Sequence, residues 1–261
     1  MACCEKDFTS WKLTDYTFPH FETYLQKTPA LILPVGGIEP IGTRLSLGTI
    51  NEVCERICHA LSERLSVVSA PLVTYGASIP FKSFGGCAGV HPGILVDFVA
   101  DCCKCWFFHG IKRIMIVTLS MDATRWGAEV VHRLSSAYGS SAVGMIALQN
   151  HERFNGLCRK HGHGDDTAGR NEWGIAALTA WLCRSSDSQK LSGEQRRSRE
   201  ESLRQFKQWF RRGRDPEKLR KLFPDAWFGT ENLPSPSETD GKMLFDALLR
   251  SLVEEMTPFF A

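Results

Sequence analysis

Three acidic side chains in glycine-punctuated segments are the residues of this chain best suited to chemistry. They are Glu39 in "LILPVGGIEPIGTRLSLGTIN", Asp122 in "LSMDATR" and Glu172 in "DDTAGRNEWG". Carboxylates gathered in one cleft can hold a single hard cation such as magnesium or calcium through oxygen ligands. Crowding of like charges can also raise one carboxyl pKa until the group serves as a general acid or base. These three are the candidate catalytic residues. Arg44, in the Glu39 loop, and Ser120, two positions before Asp122, are candidate ligand contacts. Trp173 and Phe84 supply flat apolar rings suited to a ring-shaped ligand, and core packing is the plain alternative for both. Ser120 has no recognisable base in its own motif, which argues against a nucleophilic serine. The plain alternative for the acids is that they are solvated or ion-paired, with Arg44 or Arg125 as partners.

A second polar group lies in "HERFNGLCRKHGHGDDTAG", where His151, His161, His163, Asp165 and Asp166 could rebuild a metal site on a glycine-rich loop. Solvated loops of this composition are common, so the segment alone does not establish a site. The ten cysteines show no pair of pairs at zinc spacing. They fall mostly in apolar helical patterns of a long chain, and they read as reduced, buried thiols rather than a disulfide framework.

Positioning such residues requires a scaffold, and the apolar runs outline one. Segments 30–36, 66–76, 113–119 and 142–149 are short and rich in Val, Ile and Leu, which marks strands. Helical patterns occupy 50–65, 92–109 and 123–137, the second opening at Pro92 and ending before Gly110. Strands alternating with helices predict a mostly parallel sheet covered on both faces. In such a sheet the site forms at the carboxyl ends of the strands, which brings Glu39, "YGASIPFKSFGG" and "SMDATR" to one rim. The 261 residues, 43% hydrophobic and 23% charged, fit one globular domain spanning 1–261. No basic-then-apolar leader and no membrane-length apolar run is visible, so a cytoplasmic protein without a membrane partner is expected.

Several motifs, in order, resemble the creatininase (creatinine amidohydrolase) family. "LPVGGIEPIGTRLSLGT" is similar to the family loop P-V-G-S-x-E-Q-H-G-x-H-L-P-L-G-T-D. "APLVTYGAS", "GIKRIMIV", "DDTAGRNEWG" and "GTENLPSPSETDGKMLFDALL" follow at the places of later family motifs. The resemblance implies a three-layer α/β/α sandwich with a mostly parallel central sheet, assembled as a homo-oligomer, with a hexamer favoured. It also implies hydrolysis of amide-like C–N bonds by two divalent metals. Their ligands are the Glu and His of E-x-H, the bridging Asp of G-T-D, and a His with a nearby acid after the third strand.

The ligand set departs from that pattern. Glu39 keeps the glutamate, but Ile41 stands at the E-x-H histidine and Ile50 at the bridging aspartate, with Asn51 beside it. Ser120 falls at the third-strand histidine, while Asp122 can follow as an acid. Thr167 replaces the later histidine and Glu172 is kept. Zinc prefers imidazole or thiolate, and loss of even an outer partner commonly costs ~10–100-fold in affinity. The expectation is therefore no binuclear centre and no cofactor beyond a single hard divalent cation.

Segment 184–222 looks like an addition to the family pattern, with thirteen Lys or Arg against six Asp or Glu. Leu203, Phe206 and Phe210 share one helical face there, which describes a basic amphipathic helix for a subunit or acidic partner. No nucleic-acid motif accompanies it. Two functions remain in view. One is carboxylate acid/base chemistry on a small nitrogen-containing metabolite, a cyclic amide or amine. The other is a catalytically inactive scaffold or ligand-binding subunit, and an amidohydrolase with a relocated metal site is a third variant. Stability separates them: crowded carboxylates without partners relieve strain when removed, whereas hydrogen-bonded ones destabilise the fold.

Overall fold

A computed structural model describes residues 10–43, 45–120, 122–160, 172–183, 204–205, 208–209, 215–226 and 236–261. Four parallel strands form its sheet: β1 (Ala30–Val35), β2 (Val68–Ser69), β3 (Arg113–Thr118) and β4 (Val143–Ala147), in the order β2-β1-β3-β4. Every residue of β1 is buried, as expected of an inner strand with helices on both faces. Its register with β3 runs from Ala30 opposite Arg113 to Val35 opposite Thr118.

Alternation along β1 divides the interior. Ile32 faces a cluster with Met115, Val117 and Ile146, closed by α2 (Thr49–Leu65), α5 (Glu152–Lys160), α6 (Glu172–Leu182) and the last helix, α8 (Glu238–Phe260). Leu31, Leu33 and Val35 face the other cluster, closed by α3 (Pro92–Phe108) and α4 (Ala123–Tyr138). Helix, sheet and helix therefore make three layers, the expected α/β/α sandwich. A further helix, α1 (Phe18–Lys27), brings Tyr24 under β1, where its hydroxyl donates to the Ala30 carbonyl (2.7 Å) and accepts from the Val68 amide (2.9 Å).

The helix boundaries have local causes. Pro92 opens α3 behind His91, whose Nδ1 accepts the Gly93 amide at 3.2 Å. Ser237 and Asp240 form a capping box at the start of α8. Two strands are shorter than the apolar runs predict. The run 66–76 yields only Val68–Ser69, because Pro71 has no amide to offer a ladder; the chain returns as a single bridge between Val73 and Val35. The run 142–149 leaves the sheet at Ala147 and turns into a 3-10 helix over Leu148–Asn150. Most of 184–222, including Leu203, Phe206 and Phe210, lies outside the described residues. Within it, α7 (Pro216–Leu222) packs on the turn Ile79–Phe81.

Candidate functional site

The carboxyl ends of β1, β2 and β3 meet around Glu39. After Val35 the chain passes Gly36 and Gly37, and the Gly37 amide donates to Asn51 Oδ1 at 2.8 Å, tying the loop to the first turn of α2. A methyl group at position 36 would overlap the Asn51 amide oxygen and displace the side chain that holds the Gly37 amide. Position 76 is more strictly confined to glycine, because a Cβ there would strike the Gly36 backbone carbonyl. That close backbone approach carries Ser78 to the Glu39 side chain.

Glu39 is 1% exposed. Its Oε1 accepts the Ser78 hydroxyl at 3.1 Å and the Ser120 hydroxyl at 2.9 Å. Ser120, also buried, is held by its own amide, which donates to Thr118 Oγ1 at 3.1 Å. Two residues on, Asp122 is buried at the start of α4, and its carbonyl accepts the Arg125 amide at 3.3 Å. Two of the predicted acids thus sit at the ends of adjacent strands, and predicted contact Ser120 is bonded to one of them.

Ile41 and Ile50 are both 0% exposed and belong to the large cluster on the α2 side of the sheet. Neither has a lone pair to offer a cation. The two described donors to Glu39 Oε1 are serine hydroxyls, which are not the imidazole or thiolate ligands that zinc prefers. Among the described residues no three His, Cys, Asp or Glu side chains gather as metal ligands.

The remaining sequence candidates are placed as follows. Glu172 opens α6, and its side chain lies outside the description, as do Arg44, His161, His163, Asp165, Asp166 and Thr167. Trp173 is 1% exposed within the main core, so its ring packs inside rather than forming an open wall. Phe84 is likewise buried, in a separate cluster with Phe81, Trp209 and Phe223, with the Arg220 guanidinium 4.8 Å above its ring. His151, in the turn between the 3-10 helix and α5, bonds to Glu255 on α8 through Nε2 at 3.1 Å, beside Arg153. Residue-by-residue reading did not single out Ser78, although its segment was assigned to the rim; the glycines at 76 and 89 were the available signal. Gln149, buried at the end of β4 and donating to the Leu119 carbonyl, was also missed.

The creatininase (creatinine amidohydrolase) family model matches residues 14–256. The chain belongs to the creatininase family. Among curated proteins none matches it by sequence. Solved creatininase-family structures share its fold at low identity. A creatininase variant complexed with creatine superposes with a TM-score of 0.72 at 14% identity, over 95% of this chain and 97% of that one. A creatinine amidohydrolase gives 0.69 at 15% identity, over 97% and 98%. A putative creatinine amidohydrolase from Bacteroides fragilis gives 0.69 at 14%, over 96% of each. The matched range 14–256 includes positions 184–222. No helix among the described residues is long and apolar enough to cross a membrane.

Proposed function

We propose that this creatininase-family chain has lost the binuclear centre and acts as a metal-independent scaffold or ligand-binding subunit in a homo-oligomer. The observation that supports this reading is the burial of Ile41 and Ile50, which stand at two of the family's ligand positions and are packed into the apolar core on the α2 side of the sheet. A branched apolar side chain at a bridging-carboxylate position removes the shared negative charge and occupies the space two cations need. Glu39 itself has become a cross-link between strand ends, with two serine hydroxyls on one oxygen.

The test is elemental analysis of protein purified without chelators, together with a creatinine hydrolysis assay in added zinc or manganese. Less than one tightly bound transition metal per chain and no hydrolysis are expected. Two equivalents of zinc or manganese per subunit would overturn the reading.

A second reading rests on the burial of Glu39 and Asp122 at neighbouring strand ends. Buried carboxylates can exchange protons with a small nitrogen-containing ligand, a cyclic amide or amine, without any metal. Thermal-shift screening of such compounds separates the two. A ligand whose stabilisation disappears in Glu39→Gln, and which the wild-type protein converts, favours the acid/base enzyme.

A further inference from the structure

One apolar cluster stands apart from the two that sandwich the sheet. Phe81 and Phe84, on the chain just beyond Ser78, pack there with Leu219 of α7 and with Phe223, which follows that helix. Polar ties reinforce the packing. Ser83 Oγ donates to Glu217 Oε1 at 2.7 Å, and the Arg220 guanidinium lies 4.8 Å from the centre of the Phe84 ring. At the other end of the segment the Ala226 carbonyl accepts the Gly42 amide at 3.1 Å, and Gly42 lies just beyond Glu39. Segment 215–226 therefore grips both loops that bring Glu39 and Ser78 together. Ala226 is buried with φ at 54°, a left-handed conformation in which its Cβ crowds the backbone. Strain of that kind persists only where surrounding contacts hold it.

We propose that segment 215–226 is a strap that opens and closes as a unit over the Glu39–Ser78 contact, so that access to this site is an equilibrium separate from global unfolding. Glu39 is 1% exposed and Ser78 2%. A reagent or ligand reaches them only when some cover moves. Of the elements around them, the strap is the one built to move. Its apolar support is the satellite cluster rather than either core against the sheet, and such units open at lower free energy than buried strands. The Ser83–Glu217 bond is exposed, so water replaces it at little cost. Opening also releases the strained backbone at Ala226.

The strap goes beyond the proposed function, and its test needs neither a metal nor a ligand. Ser78→Cys in the full chain places a thiol at the site with little change of size. Peptide mapping after iodoacetamide treatment reads labelling at position 78, while hydrogen exchange reads the amides of α7, β1 and β3. The α7 amides should exchange about tenfold faster than those of β1 and β3, or more. Leu219→Ala, which removes packing from the strap, should speed both α7 exchange and labelling at position 78 by about tenfold or more. Val130→Ala, on α4 against the sheet, should speed exchange in the strands and leave α7 and position 78 as they were. Phe223→Leu replaces Leu219→Ala if the latter loses its cooperative melt. Exchange of α7 only in step with the strands would overturn the strap. So would labelling at position 78 that the folded strap variants leave unchanged, or that Val130→Ala accelerates as much as they do.

Discussion

Ser120 Oγ donates to Glu39 Oε1 across 2.9 Å and so joins the carboxyl ends of β3 and β1 inside the protein. Ser78 adds a second donor to the same oxygen from the chain beyond β2. Three consecutive positions in the sheet are thereby held by one carboxylate.

That arrangement fixes the sign of the first prediction. Carboxylates crowded without donors would gain stability on removal, but Glu39 has donors. Glu39→Gln should destabilise the fold by about 1–3 kcal/mol, since an amide cannot satisfy both hydroxyls without burying an N–H of its own. Ser120→Ala should cost less, roughly 0.5–1.5 kcal/mol, because Ser78 remains. Chemical denaturation at neutral pH measures both, and variants as stable as the parent would return the carboxylate to a strained, functional role.

Ile50→Asp should be among the most damaging single changes, at about 3–5 kcal/mol, because it places a charge without a partner in a packed interior. Added zinc should not restore the melting temperature, since Ile41 and Ser120 still supply no imidazole. Recovery of stability in zinc would mean that the remaining acids form a working site.

Chelation should leave the wild-type protein untouched. In proteins that fold around a metal, binding energy contributes to stability and its removal lowers the melting point. Equal melting temperatures in excess chelator and in excess zinc are expected here. A large drop in chelator would reveal a structural ion.

Alkaline unfolding reports on Tyr24. Its buried hydroxyl, between the Ala30 carbonyl and the Val68 amide, has its pKa pushed above the ordinary value of 10.0, chiefly by burial. The folded state therefore holds a proton that the unfolded chain releases, so stability is complete below pH 10 and falls as pH rises beyond it. Cys103, whose thiol burial pushes up to about 12, adds a loss of the same sign from about pH 9 upward. Tyr24→Phe should be less stable at neutral pH by about 1–3 kcal/mol and should show a shallower decline above pH 10. Parallel declines in the two proteins would rule out the assigned role.

Much of the architecture was legible because buried parallel strands write themselves as short apolar runs. "ALILPV" and "RIMIVT" became inner strands within one residue of their predicted ends. Segment 66–76 misled because apolar composition says nothing about which amides find partners, and Pro71 removes one at the sheet edge. The site was half legible. Glu39, Ser120 and Asp122 stand at strand ends where the fold rule puts them, but the Ser78 contact depends on backbone crowding between Gly36 and Gly76. Pairwise proximity of that kind has no local signature. Trp173 and Phe84 illustrate the converse, since an aromatic beside a polar motif reads the same whether it lines a cleft or fills a core.

The buried isoleucines at 41 and 50 also make the present state hard to leave. Each contributes apolar burial that is there whatever the cell's metal supply, and each is paid back as a loss when replaced alone. On the proposed reading, a single substitution that put a polar ligand at either position would lose packing before any other ligand was in place to coordinate with it. The interior would then act as a ratchet against one-step changes towards a metal centre.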